Sequence, residues 1–425
     1  MMDDDGTSNR FKVLNEYCLR DILKFFHPHE LLLLLEVPHL GTVVNDLRKK
    51  YPDFQFLHEI DDVKWDMENF RDALTFMGPN LKSVTLDSER LFDMSLAVIF
   101  FLLDQLCPKL ESLELRGFSI EFKQTSFEFS RMTKRLRSIS LIGGVYRDNI
   151  GRCLGSSSQL EDLSMKDCIK YDEFLTHFRN LKSISLVRID YLQSEDFIEI
   201  LEQNLTLKKI ECIQKKCIDD DVINFIVAKL KNVEDLRFQV DSDIKINLLG
   251  KLPNLKKLYL DFHPSRRQST KMLSLLEKLR DKNNIEELHL LNFDLSEHID
   301  SLSELTTLKI LEINYDLPYS EMKKLQNLHR LECVAFNNAE FSSSALLEFM
   351  TNMKNLKKIN IPSFHIHENF AFLDRLMARL EAFKRPKKLE IGTYFYEELI
   401  TQPEFRQLLD ENRHILSFHK IEADI

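Results

Sequence analysis

The sequence predicts an α/β solenoid, a curved parallel sheet with helices on its convex side, preceded by a small all-α module. Three observations carry this. The 425 residues hold 69 leucines and only 10 glycines, where average usage would give roughly 30 glycines. One apolar pattern recurs thirteen times from Leu81 onward, at steps of 20 to 30 residues. Before that run, the first fifty residues carry helical apolar spacing instead.

Residues 1–10 are acidic and polar and are read as an unstructured N-terminus. They lack the basic and apolar regions of a secretory signal. In residues 11–50, Leu19, Ile22, Leu23 and Phe26 fall at i, i+3, i+4 and i+7, one face of a helix that His27-Pro28 ends. Five leucines at 31–35 open a second helix. Five in a row cover every face of a 3.6-residue turn, so burial on more than one side is expected. Forty residues are near the lower limit for independent folding. A partner is therefore expected to cover one face.

This segment resembles an F-box. Leu14, Leu19, Ile22, Leu23, Phe26, Pro28, Leu31, Leu32 and Val37 fall on the family's positions. Asn15 stands where the family usually has Pro, and Leu40 where it often has Trp. The resemblance implies that these nine residues and Leu40 bind a Skp-family adaptor, and through it a cullin scaffold. A helical cap closing the repeat stack is the plainer reading of the same residues. A cap wants a polar outer face, however, and this segment is apolar on several.

Residues 51–80 join the module to the repeats. Met67, Phe70, Leu74 and Met77 predict a helix over 66–77, ended by Gly78-Pro79. This is the expected convex helix of a capping repeat. Trp65, at its start, is assigned to packing.

Residues 81–425 carry about thirteen repeats. The first reads Leu81-Lys-Ser-Val84-Thr-Leu86 and the second Leu110-Glu-Ser-Leu113-Glu-Leu115. The later ones include Leu308/Leu311/Ile313, Leu328/Leu331/Cys333, Leu356/Ile359/Ile361 and a weaker Pro386/Leu389/Ile391. The last two apolar positions lie two apart and share one face of a short strand. Strands stacked at one period must be parallel, and each return needs a dozen or more residues, usually a helix. Helices are expected over 93–106, 195–203 after an N-cap at Ser194, 221–230, 271–282, 344–353 and 370–383. The connections over 291–307 and 314–327 are shorter and less helical.

The pattern resembles leucine-rich repeats, whose unit is about 20–29 residues. That family often places Asn or Cys eight positions after the first Leu, where the side chain satisfies buried backbone. Only Cys168 matches here; Phe118, Gly144, Ile189, Phe293, Phe336 and Phe364 stand elsewhere. A stacked row of phenylalanines is expected in place of a polar ladder.

The third and fifth motif positions point away from the core and line the concave face. From Leu81 to Leu186 they are mostly small hydroxyls; from Leu207 onward they are mostly charged. Arg237, Tyr259, His289, Arg330 and Glu332 are therefore the candidate target-binding residues. The competing expectation is that neighbouring Lys and Glu pair with each other and contribute little.

Other chemistries are not indicated. No Gly-rich phosphate loop, G-x-S-x-G or H-E-x-x-H occurs. No metal or cofactor is expected; His27/His29 and His365/His367 lack a suitably spaced third ligand. A net charge of −10 and a pI near 5.8 argue against nucleic-acid binding. No apolar run reaches the roughly 18 residues of a membrane span. Seven cysteines without a C-x-x-C pair fit a reducing cytoplasm or nucleus, most of them buried. The order F-box then leucine-rich repeats resembles substrate receptors of Skp–cullin–F-box ubiquitin ligases. It implies a non-catalytic adaptor that holds a target by its repeats. The alternatives are a repeat scaffold or inhibitor acting without ubiquitin, and a small-GTPase regulator.

Overall fold

The computed structural model describes residues 16–23, 31, 34, 37, 40–47, 53–56, 65–91, 94–118, 130–146, 154, 159–170, 174–240, 243–263, 269–314, 319–336, 343–361, 370–382 and 388–421. The chain divides into two compact units. One comprises 1–192 with 199–205, the other 193–198 with 206–425. The segment 1–10 lies outside the described residues.

In the first unit, helix Glu16–Leu23 packs on helix Gly41–Leu47. Leu19, Leu23, Leu31, Leu40, Val43 and Val44 are buried. Strands follow in the order β1 (Asp53–Phe56), β2 (Ser83–Asp87), β3 (Ser112–Arg116), β4 (Ser138–Ile142), β5 (Val145–Tyr146), β6 (Asp162–Lys166), β7 (Ile169–Lys170) and β8 (Ser183–Val187). Strands β1, β2, β3, β4, β6 and β8 form one parallel sheet in that spatial order, and β5 pairs with β7 apart from it. Strand β1 was not expected; it pairs Asp53 with Ser83 and Phe56 with Leu86.

Helix Met67–Met77 lies between β1 and β2 and starts where the sequence places it. The Asp66 carboxylate caps it, accepting from the Asn69 N–H at 2.8 Å. Trp65 is buried, as assigned. Helix Leu96–Leu106 begins three residues later than expected, because Ser95 Oγ caps it by accepting from Val98 N–H.

In β3, β4, β6 and β8 the motif alternates as predicted, whereas in β2 Thr85 is buried between Val84 and Leu86. Leu113 and Leu115, Ile139 and Leu141, and Ile184 and Leu186 are buried, while the residues between them are half-buried. The leading leucines Leu81, Leu110, Leu136 and Leu181 are fully buried. Each such side chain contributes roughly 1.5–3 kcal/mol relative to exposure. After β4 the chain turns through Gly143 and Gly144, at φ +65° and +93°. A Cβ on Gly144 would sit 2.0 Å from the Phe118 carbonyl oxygen, so the turn admits glycine alone. Cys168 performs the role expected of its position: its thiol lies 3.2 Å from the carbonyl oxygens of Leu141 and Lys166.

In the second unit the parallel strands are β9 (Lys209–Ile213), β10 (Asp235–Val240), β11 (Lys257–Phe262), β12 (Glu287–Leu291), β13 (Ile310–Ile313), β14 (Cys333–Phe336), β15 (Lys358–Asn360), β16 (Leu389–Thr393) and β17 (Leu416–Lys420). They neighbour one another in sequence order. Returns run through helices Asp220–Lys229, Ser269–Lys282, Ser343–Asn352 and Phe370–Ala382, each within two residues of its expected bounds. Helices Ile299–Ser303 and Tyr319–Leu325 are the short connections, at five and seven residues. The helix Ser194–Gln203 begins at Ser194 itself, so Ser194 is not its N-cap; Asp196 accepts instead from the Gln193 N–H at 3.2 Å.

Two motif registers need correction. Cys333 pairs with Ile310, and Val334 and Phe336 with Leu311 and Ile313. The eleventh motif is therefore Leu331/Val334/Phe336, three residues later than Leu328/Leu331/Cys333. Glu390 and Gly392 pair with Lys358 and Asn360, which moves the thirteenth motif on by two. Strand β17 adds a further unit beyond the thirteen motifs. The phenylalanine row holds only in part. Phe293 packs on Phe262 with ring centroids 4.9 Å apart, whereas Phe336 occupies a core position of β14. Phe364 lies outside the described residues.

Candidate functional site

Two rows of outward-facing side chains cross the sheet of each unit. In the first unit they are Ser83, Ser112, Ser138, Asp162 and Ser183, and beside them Thr85, Glu114, Ser140, Ser164 and Ser185. Outside two acids the surface is hydroxyl.

In the second unit Asp235, Lys257, Glu287 and Ile310 form one row, with Arg237, Tyr259, His289 and Glu312 in the next. Arg237, Tyr259 and His289 thus stand side by side, as the sequence places them. Their charges are largely spent on each other. Arg237 Nε donates to Asp235 at 3.2 Å, Lys257 Nζ to Glu287 at 2.5 Å, and His289 Nδ1 lies 2.6 Å from Glu312. The Tyr259 ring lies 5.7 Å from that of His289. Burial works against the charge of Arg237, and Asp235, Glu211 and Glu287 outweigh it, so its pKa stands above the ordinary arginine value. The geometry thus favours the expectation that these neighbours pair among themselves.

Arg330 and Glu332 do not belong to this surface. With the register of β14 corrected, both precede the strand, and Cys333 and Ala335 take their places on the sheet. The Glu332 N–H donates to the Lys309 carbonyl, and its carboxylate pairs with Lys357. Glu332 occupies the second motif position. Read along that position, the second unit gives Lys208, Glu234, Lys256, Glu286, Lys309, Glu332 and Lys357, and the first gives Lys82, Glu111, Arg137, Glu161 and Lys182. The sign alternates at each step. Lys256 and Lys208 lie 2.7 and 3.6 Å from Glu234, Lys309 lies 2.7 Å from Glu286, and Lys182 lies 2.7 Å from Glu161. The signal for this edge ladder in the sequence is the alternation of charge at one motif position from repeat to repeat.

Of the residues assigned to an adaptor, Leu19, Leu23, Leu31 and Leu40 are buried within the chain, whereas Ile22 and Val37 are 39% and 37% exposed. Leu14, Phe26, Pro28 and Leu32 lie outside the described residues. Among the described cysteines, Cys107, Cys168, Cys212 and Cys217 are buried, Cys333 is half-buried and Cys18 is exposed. Burial pushes the thiols of Cys107 and Cys168 up to about 12. Among the described residues no group of His, Cys, Asp and Glu is arranged to hold a metal ion, and no helix is long and apolar enough to cross a membrane.

No family model matches the sequence, and no curated protein does. Among solved structures, a crystal structure of a TLR13–ssRNA13 complex is similar over 88% of this chain, at 13% identity and a TM-score of 0.35. The match spans 62% of that longer chain. The architecture itself is of the leucine-rich-repeat type: one short parallel strand per L-x-x-L-x-L motif, with mostly helical returns.

Proposed function

We propose that the chain is a non-catalytic substrate adaptor of a Skp–cullin–F-box-type ubiquitin ligase. Its N-terminal helices bind a Skp-family adaptor, and its repeats hold a protein target. Catalysis then comes from proximity between a target lysine and a ubiquitin-charged enzyme, not from groups on this chain. The observation that carries the reading is the N-terminal module ahead of the repeats. It keeps large apolar side chains, Ile22 and Val37, exposed next to a buried set of leucines. The reading goes with a cytoplasmic or nuclear location, where buried thiols stay reduced.

The test is co-expression with a Skp-type adaptor. Substituting Ile22→Asp and Val37→Asp together should abolish co-purification, while circular dichroism of the repeats is unchanged because both positions face solvent. Undiminished co-purification refutes the assignment. The second reading is a repeat scaffold or inhibitor that acts by occlusion without ubiquitin. Burial of Leu19, Leu23, Leu31 and Leu40 in their own chain favours it, since a capping module spends its apolar residues inward. Absence of any adaptor complex with the unsubstituted chain selects it.

A further inference from the structure

Two of the buried cysteines lie against each other. Cys212 fills the third apolar position of the motif on β9, and Cys217 closes the turn that leads to helix Asp220–Lys229. Both belong to the second unit, both are fully buried, and both are free thiols. The two thiols stand within hydrogen-bond reach of one another, and the Cys217 thiol also lies 3.9 Å from the Gln193 carbonyl oxygen. The turn between them carries Lys215 and Lys216, both exposed, and Lys216 takes the left-handed conformation at φ +60°. A small apolar residue would satisfy the packing at either position. Two sulfurs in contact add a bond that can form and break.

Burial holds the Cys212 thiol well above the ordinary cysteine value, and Cys217 and Glu211 raise it further. In the closed chain Cys212 is therefore not the group that meets an oxidant. Cys217 sits directly behind the exposed turn, so a local opening there uncovers it while β9 stays in the sheet. Lys215 and Lys216 flank it with positive charge, which draws an anionic reagent.

We propose that Cys212 and Cys217 form a redox-responsive pair, oxidised by a small anionic disulfide of the glutathione type and released again by the corresponding thiol. The Cys217 thiolate attacks one sulfur of the small disulfide, which forms a mixed disulfide and expels the first small thiol. Cys212 then attacks the Cys217 sulfur and expels the second. Two cysteine thiols are oxidised, one small disulfide is reduced to two thiols, and the two cysteine protons end on the expelled sulfurs. The new bond closes a short ring just ahead of Asp219, the N-cap that accepts from the Asp221 and Val222 N–H groups at 3.0 and 2.9 Å. It ties the end of β9 to the start of that helix, whichever partner the repeats hold.

The experiment exposes the folded, full-length chain to oxidised glutathione, blocks the remaining thiols by alkylation, and digests with trypsin without reduction. Cleavage after Lys209, Lys215, Lys216 and Lys229 separates the two cysteines, so the bond appears as peptide 210–215 joined to 217–229. The expected result is that joined pair, returned to separate peptides by dithiothreitol. Hydrogen exchange in residues 213–219 should slow at least about tenfold in the oxidised chain. In Cys212→Ser the reaction should stop with glutathione held on Cys217. Circular dichroism verifies that this variant folds, and the joined pair from the unsubstituted chain stands without it. Exposed Cys18 reports that the oxidant is active. Modification of Cys18 with no joined pair, or a joined pair that forms only in urea, overturns the proposal. A folded Cys212→Ser chain that holds no glutathione on Cys217 overturns the order of attack, and unaltered exchange in 213–219 overturns the pinning of the turn.

Discussion

Asn204 offers a sharp test of how one repeat holds the next. The residue is fully buried at the end of helix Ser194–Gln203, within the first unit. Its Oδ1 accepts from the Leu181 N–H at 2.9 Å. Its Nδ2 donates to the carbonyls of Phe178 and Ile200, at 3.0 and 2.8 Å. Leu181 opens the motif of β8, so this one amide ties the start of that strand to the following helix. Asn204→Leu fills similar space and removes all three bonds. At about 1 kcal/mol net per bond, and more for a buried N–H left unpaired, the loss should be about 3–5 kcal/mol. A loss of 3 kcal/mol is on the order of a hundredfold in the opening equilibrium. Urea unfolding followed by circular dichroism measures the loss, and hydrogen exchange by mass spectrometry locates it in peptides covering residues 178–187. A shift under 1 kcal/mol, with exchange at those peptides unaltered, would show that Leu is accepted and that the amide network is not what fixes β8.

Two further outcomes follow from burial. Burial lowers the pKa of His298 and of His419, so each is depressed below the ordinary 6.5 in the folded chain. The unfolded chain then binds more protons as pH falls below that value, so their stabilisation is present above about pH 6.5 and is lost beneath it. Melting should occur at lower temperature near pH 5.5 than near pH 7.5. The combined change of His298→Phe and His419→Phe should shrink that difference, and an undiminished difference refutes the assignment. In native labelling with iodoacetamide at neutral pH, peptide mapping should find Cys18 modified and Cys107 and Cys168 untouched, since burial holds both thiols near 12. Modification of Cys168 before Cys18 contradicts the buried position of its thiol.

Much of the fold is legible in the sequence because one physical requirement repeats. Each strand must bury two side chains on one face, and each leading leucine must fill the space beneath its helix, so period and spacing survive in the letters. The failures are informative. Leu328 and Leu331 both fit the leading position, and Cys333 passes as apolar, so the motif alone does not choose the register. Starting at Leu331 makes the neighbouring steps 23 and 25 residues instead of 20 and 28, and that regularity was the available signal. Strands β1 and β17 were missed for a different reason. Strand β1 keeps the apolar pair, Phe54 and Phe56, but Tyr51 stands where the leading leucine would be; β17 has Ile415 and Phe418 at the first two apolar positions, but Lys420 at the third. The surface is less legible than the core, because an exposed position tolerates many residues. Arg330 and Glu332 looked like recognition residues only while their register was wrong.

The edge ladder shows what those misplaced charges do. Exposed ion pairs add little net stability, so alternating Lys and Glu are poorly explained as reinforcement. Their value lies in discrimination. Repeats built on one motif resemble each other closely enough that a strand could accept the wrong neighbour. With signs alternating at the second position, any mispairing that skips one repeat sets like charges against each other. The backbone supports this use, because the same residues mark the start of each strand: the Lys256 carbonyl accepts from both Glu286 and Glu287, and the Lys309 carbonyl from both Glu332 and Cys333. From Lys82 to Lys357 the alternation fails once, between Lys182 and Lys208, and the division into two compact units falls in that same interval; it ends at Leu389 of β16. A register code carried at the strand edge leaves the outward positions unconstrained by stacking. That freedom is what allows β14 to present Cys333 and Ala335 where its neighbours present larger and charged side chains.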